Sequence, residues 1–332
     1  MLKIHFSGED ILRTRVAPAA DPVWELVLSL HVLQGRNRDP LTSTWRRTVT
    51  RGLRQDAASD QLRLLFALNP PRGYFPDFLT PYASVEGFEA GLEAVRSTPT
   101  QLLQRDLNLL AAENQLPASA TALARGDGAM LRHLAESMEQ YRSLAIGPYW
   151  SRIQSAVAAD RTLRARALLD GGVEGLLASL RPRMRWDSGV LEVRDYPHSR
   201  ELHLDGRGLL LVPSFFCAGT PVALLDPALP PVLVYPVDRL GGIAATDGDA
   251  LAASSAGRDS LAALLGRTRA AVLEASHDGC TTGEVARRLN ISPAAASQHA
   301  TVLRNAGLLV SHRDRNTVLH TLTPLGRAVL DA

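Results

Sequence analysis

The stretch that most restricts how this chain folds is its last one, Asp259 to Ala332, where two helix-start signals follow each other closely and a glycine stop comes after them. Thr281 and Glu284 have the spacing of a capping box, so a helix is predicted to begin there with Val285, Ala286 and Leu289 on its inner face. Asn290-Ile291 makes a turn, with Ile291 pointing into a small core. Ser292 is a good N-cap and Pro293 suits the first position of a second helix. That helix places Ala296, Ala300 and Leu303 inward and Ala294, Ser297, Gln298, Thr301 and Asn305 outward, and Gly307 stops it. Ahead of both, an amphipathic run from Ser260 carries Leu261, Leu264, Leu265, Thr268 and Val272 on one helical face. After them, Leu308 to His312 and Thr317 to Leu322 read as strands joined by the polar turn Arg313-Asp314-Arg315-Asn316. Thr323-Pro324 caps a short last helix containing Leu325, Val329 and Leu330.

A helix whose outward face has small residues and hydrogen-bonding groups but no acid is suited to the major groove of DNA. Charge agrees with this. Between Val285 and Arg327 there are six arginines and one acid, Asp314, for a balance of +5. Residues 1–258 are net neutral, so the +2 of the whole chain lies in the terminal segment. The element order is that of a winged helix-turn-helix, a fold that also occurs as a protein-interaction domain.

Three motifs add a family resemblance. Ile291-Ser292-Pro293-Ala294-Ala295-Ala296-Ser297-Gln298-His299 resembles the start of the recognition helix in ArsR-type winged-helix transcriptional regulators. Val302-Leu303-Arg304-Asn305-Ala306-Gly307-Leu308 resembles the "VLREAGL" signature of that family, and Leu322-Thr323-Pro324-Leu325-Gly326 the "LTPxG" that follows its wing. The resemblance covers about a fifth of the chain. It implies a homodimer binding a double-stranded DNA operator, with Ser292, Ala294, Ala295, Ser297, Gln298, His299, Thr301, Arg304, Arg313 and Arg315 at the DNA. The metal sites of many members are not matched, because Cys280 stands alone and the last helix has no histidine. The long N-terminal region departs from the short members, and the layout resembles long actinobacterial regulators with an added N-terminal domain.

The expected organisation is α+β. A mainly helical N-terminal domain with a small antiparallel β part spans 1–243, helical to about 181 and β-containing over 183–243. A linker over 244–259 and the winged helix-turn-helix over 260–332 follow. Asp21-Pro22 opens a helix with Val23, Trp24, Leu26, Val27, Leu30 and Leu33. Further helices are predicted at about 42–54, 60–67, 85–96, 100–113, 127–145 and 148–180. Residues 2–6 read as a short strand. Asp187-Ser188-Gly189 and Asp205-Gly206-Arg207-Gly208 both read as hairpin turns, and Val232 to Tyr235 as a further strand. Residues 244–259, a mixture of Ala, Asp, Gly, Ser and Arg, read as linker.

Composition excludes little. Hydrophobic residues make up 45% and charged residues 21%, which is ordinary for a globular protein. No run approaches the ~18 apolar residues of a membrane span. Ser7-Gly8-Glu9-Asp10 interrupts any apolar signal core, and the two cysteines lie far apart, so a cytoplasmic protein without a membrane partner is expected. In the N-terminal region Asp195, His198 and His203 match no catalytic or metal-ligand spacing, and His5 reads as a satisfied polar group on a strand. Cys217 reads as a buried thiol, Gly171-Gly172 as a turn, and Trp24, Tyr149, Trp150 and Phe215 as core. No catalytic residue, metal or cofactor is expected.

Two functions remain. One is a transcriptional regulator whose N-terminal domain senses a small-molecule effector or mediates assembly. The alternative is an enzyme-like N-terminal domain fused to a DNA-binding module. An apolar pocket with few polar groups favours the first, and a cluster of perturbed titratable groups in one pocket favours the second.

Overall fold

A computed structural model describes residues 1–35, 40–55, 61–197, 199–238, 261–277, 279–314 and 317–330. The chain mixes helices and strands and divides into two compact units, Met1–Ala245 and Thr246–Ala332. The stretch read as a linker, 244–259, lies outside the described residues, as do His198 and Arg315. No helix among the described residues is long and apolar enough to cross a membrane.

The first unit is layered around strands buried on both faces. Strands β1 (Leu2–His5) and β2 (Arg15–Val16) flank helix α1 (Gly8–Arg13). Helices α2 (Pro22–Gln34), α3 (Pro40–Gln55), α4 (Arg63–Leu68), α5 (Phe88–Arg96), α6 (Thr100–Ala111), α7 (Ala118–Ala124), α8 (Gly128–Ala145) and α9 (Trp150–Ala178) follow. Strands β3 (Met184–Asp187), β4 (Val190–Val193), β5 (Arg200–His203), β6 (Leu210–Ser214), β7 (Val222–Ala223) and β8 (Val232–Pro236) complete it. One sheet has the order β2-β6-β8-β7. Leu210, Val212, Val232 and Val234 face the helical core, whereas Leu211, Leu233 and Tyr235 join a second core. That double burial explains the unbroken apolar runs of β6 and β8. The second core includes Leu176 and Leu177 of α9 and Leu2, Ile4, Leu191 and Leu202 of the other sheet, ordered β3-β4-β1-β5. Trp24, Tyr149 and Phe215 are core residues, and Trp150 packs against them half-buried. Helix α9 is broken where Gly172 takes a positive φ beside non-helical Gly171, so its two halves serve the two cores.

The expectation of an antiparallel β part over 183–243 is corrected. Both sheets are mixed: β1 pairs with β5, β2 with β6 and β6 with β8 in parallel. The strand expected at residues 2–6 forms over Leu2–His5 and joins one of these sheets, and residues 15–16, not expected as a strand, join the other. The first hairpin forms, with Ser188 and Gly189 at positive φ. The second does not: β5 and β6 enter different sheets. Asp10 is the cause. Its carboxylate accepts the Ser7 hydroxyl and amide and also the Gly208 amide, at 3.0 Å. Arg15 then donates to Leu209 and Ala17 to Leu211, which commits β6 to β2. A Cβ on Gly208 would lie 2.6 Å from Arg13 Cβ, so this approach requires glycine, which also supplies the positive φ.

Helix α2 is fastened to the buried sheet by Glu25. The carboxylate is fully buried and accepts the Phe215 amide at 2.7 Å, the Phe216 amide at 2.9 Å and the Ser214 hydroxyl at 3.1 Å. Burial pushes its pKa up from 4.5 to about 7, against those hydrogen bonds and with a contribution from Asp21. A carboxyl that holds its proton more tightly when folded contributes stability that is complete below pH 4.5 and is lost as pH rises through about 7. Glutamine cannot titrate. Glu25→Gln is expected to destabilise the first unit, with the gap to wild type wider at pH 5 than at pH 8. Urea midpoints at the two pH values check this, and an equal gap would refute it.

Candidate functional site

The second unit builds a helical layer and a small sheet from local signals. After helical residues 261–265 come α10 (Arg267–Ala275), β9 (Cys280–Thr281), α11 (Thr282–Leu289), α12 (Pro293–Asn305), β10 (Leu309–Asp314), β11 (Thr317–Leu322) and α13 (Pro324–Leu330). The Thr281–Glu284 capping box starts α11. Asn290 closes it in the left-handed conformation, at φ 53°. Ser292 caps α12 by accepting the Ala295 amide at 3.1 Å, Pro293 sits in its first turn, and Gly307 at φ 72° ends the segment.

One expectation is corrected here. The run from Ser260 is not one amphipathic face, because Gly266 at φ 84° interrupts the helix and resets its phase. Leu264 is 76% exposed, whereas Val272 lies in the core as expected, joined by Ala270 and Leu273, and Leu265 packs against it. A second correction concerns the polar turn. β10 and β11 pair out to Asp314 opposite Thr317, so Arg313 lies within the strand opposite Val318.

Helix α12 buries Ala296, Ala300 and Leu303. Its solvent face presents Ala294, Gln298 and Asn305, all exposed, with Thr301 half-buried beside them. The remaining candidates fall on the flanks: Ser297 and Arg304, both exposed, on one side, and Ala295 and His299, half-buried, on the other. Ser292 is exposed at the helix start, and Arg313 is exposed on β10. Val302, 42% exposed and one turn beyond Gln298, shares the face and escaped the sequence reading. Its signal was there, since i and i+4 lie on one side of a helix. The cations are not equivalent: Arg288 donates to the Ala275 carbonyl, ending α10, at 3.4 Å.

Behind α12, His320 ties the sheet to α11. It is buried, with Nδ1 2.8 Å from Ser311 Oγ and Nε2 2.9 Å from Thr282 Oγ1. Cys280 is fully buried, 3.4 Å from Ser276 Oγ.

The first unit offers two further cavities. One, of about 160 Å³, is lined by Asp77, Asp106 and Asp226 among apolar residues. Burial, with Asp106 and Asp226 nearby, pushes Asp77 up to about 6. These carboxylates are nevertheless occupied. Asp77 accepts the Leu225 and Asp226 amides, Asp106 accepts the Phe78 amide, and Asp226 accepts the Ala228 amide and pairs with Arg105. The other cavity, of about 230 Å³, is apolar over Leu28, Val32, Phe216 and Val222, with His31, Arg72 and Thr220 as polar groups. Burial pushes His31 down to about 4, and its Nε2 has no hydrogen-bond partner. Of Asp195, His198 and His203, the set that matched no spacing, His198 lies outside the described residues, and His203 lies in a cluster of ligating groups with His5 and Glu201. No family model, no curated protein and no solved structure matches the chain.

Burial, and then the charge of Arg304, lower the His320 pKa below its ordinary 6.5. The neutral ring's contribution is thus complete above pH 6.5 and is lost as pH falls through the folded value. Once the intrinsic slowing of amide exchange in acid is divided out, protection in α11 and β11 is expected to fall between pH 7.5 and pH 5.5. His320→Ala is expected to cost about 1–3 kcal/mol and to remove that extra acid sensitivity. Exchange measured by mass spectrometry decides; an unchanged acid response in the variant counts against this role.

Proposed function

We propose that this protein is a sequence-specific DNA-binding transcriptional regulator, acting as a homodimer, with residues 261–330 as a winged helix-turn-helix. The observation that carries the reading is the outward face of α12. It is acid-free, is held at its start by a side-chain cap, and presents Gln298 and Val302 one turn apart. Gln298 can bond an adenine edge through two hydrogen bonds, and Val302 can meet a thymine methyl. In this reading Ser292, Ala294, Ala295, Ser297, His299 and Thr301 lie against the groove. Arg304, Arg313 and Arg315 meet phosphate or, from the hairpin, the minor groove. One such helix covers a half-site, which is why a dimer on a two-fold operator is proposed.

The first unit, in this proposal, senses an effector or mediates assembly. The 230 Å³ cavity beside His31 fits the effector role, combining apolar side chains with the polar groups of His31, Arg72 and Thr220. The enzyme-like alternative draws on the perturbed Asp77 cluster. It is the weaker reading, because backbone amides already engage those carboxylates.

Selection of bound sequences from random double-stranded DNA by the full chain is expected to enrich a two-fold motif, and no enrichment would overturn the proposal. On the enriched site Gln298→Ala is expected to cost about 1–3 kcal/mol and to relax preference at one position. Arg313→Ala and Arg315→Ala should weaken binding to all sequences alike and lower the salt slope by about one unit each. Titrations on enriched and scrambled DNA at several salt concentrations check this division. It fails if the arginine variants keep the wild-type slope, or if Gln298→Ala loses both DNAs equally.

A further inference from the structure

The outer face of the sheet β3-β4-β1-β5 carries a constellation that the DNA-binding proposal does not use. Alternation along β1 turns Leu2 and Ile4 into the core and leaves Lys3 and His5 on the other face. In β5, Leu202 is buried while Glu201 and His203 are exposed. The parallel register sets His5 directly beside His203, and Lys3 beside Glu201. Their imidazoles stack with centroids 4.5 Å apart and planes 10° from parallel. Glu201, two residues before His203 on the same face, brings a carboxylate oxygen to 3.5 Å from His5 Nε2. That nitrogen is enclosed and makes no hydrogen bond.

We propose that His5, Glu201 and His203 form a binding site for one divalent transition-metal ion, zinc by the character of its donors. One ligand atom from each residue lies within 4.8 Å of the other two. Bonds of ~2.0–2.2 Å to a tetrahedral ion require donors about 3.4 Å apart, so closure takes side-chain rotations of roughly an ångström and no change in the strands. Glu201, with a side chain 61% exposed, has room to swing. Two imidazoles and a carboxylate suit zinc among available ions and leave a fourth position for water. The two histidines come from strands at opposite ends of the unit's sequence. An ion there cross-links β1 to β5 and stabilises only the folded chain, by mass action.

The test uses the full chain, with any affinity tag removed and metal stripped, titrated with zinc chloride in a calorimeter. Binding of one ion per chain is expected, together with a rise in the thermal midpoint on adding zinc. His5→Thr and His203→Thr keep strand-compatible side chains on a solvent face and should fold. Each is expected to weaken zinc binding at least tenfold and to abolish the midpoint rise, and Glu201→Gln to weaken it less. Circular dichroism and the zinc-free midpoint confirm folding of each variant. Cobalt(II) should bind with a spectrum free of thiolate charge transfer, unchanged in Cys217→Ser and Cys280→Ser. Absence of stoichiometric binding overturns the proposal. So does binding that survives the His5→Thr/His203→Thr double variant, or a cobalt spectrum showing thiolate ligation.

Discussion

A carboxyl group at the centre of an apolar layer is the constraint on which the first unit's architecture depends. Glu25 lies on α2 among Val23, Leu26, Val27 and Leu30, and it is as buried as they are. An unpartnered carboxylate there would cost several kcal/mol. It is tolerated because β6 ends in the core, where the Phe215 and Phe216 amides and the Ser214 hydroxyl converge on it as one acceptor. Each side cancels the other's unmet hydrogen bonds. This fixes which face of α2 meets the end of β6, something apolar packing alone leaves free to slide. Asp21, one turn earlier, does the same for the Ser84 hydroxyl and the start of α2 itself.

The same device recurs, and it bears on function. Asp10 holds the Gly208 turn, Asp77 holds the Leu225–Asp226 backbone, and Asp160 takes the Tyr235 hydroxyl and Arg164. Asp77, a buried acid with a raised pKa, is of the kind one seeks in a catalytic cleft. Here the distinguishing fact is what occupies its oxygens. A general base must present a lone pair to substrate, whereas Asp77 spends both oxygens on main-chain donors. The perturbation then follows from burying a structural clamp. The contrast with His31 is instructive: its Nε2 is unpaired at an apolar cavity, and a bound molecule would complete it.

What was legible in the sequence was local. The Thr281–Glu284 box, the Ser292-Pro293 start and the Asp187-Ser188-Gly189 turn each depend on atoms three or four residues apart, and all three formed. The long helices were legible for the same reason, from periodicity. What was not legible came from partners far along the chain. Nothing near Asp205 to Gly208 tells that Asp10 takes the Gly208 amide and sends β6 to another sheet. Nothing near His5 tells that β5 runs parallel beside it with His203 in register. In the candidate DNA-facing helix the inward and outward sets could be read from one turn to the next, and only Val302 was missed. The Gly266 break was a local signal passed over: one glycine at positive φ outweighed an apparently continuous apolar stripe.

The core of the second unit is made of small parts. Ala286, Ala296 and Ala300 are part of it, beside Val272, Leu273, Val285, Leu303 and Leu309. Alanines let α12 approach its neighbours closely, which fixes its axis, but each removes little apolar surface from water. A unit of this size is marginal on burial alone. Polar ties then carry an unusual share of its order: the capping box, the Ser311–His320–Thr282 chain, and the Thr323 hydroxyl on the Gly307 carbonyl. Those ties join helix to strand and turn to turn, so they hold the elements in register. Under the proposed function that is the useful division. Precision in α12 comes from close contact and capping, and added stability comes from whatever binds only the folded unit, whether DNA or a second protomer.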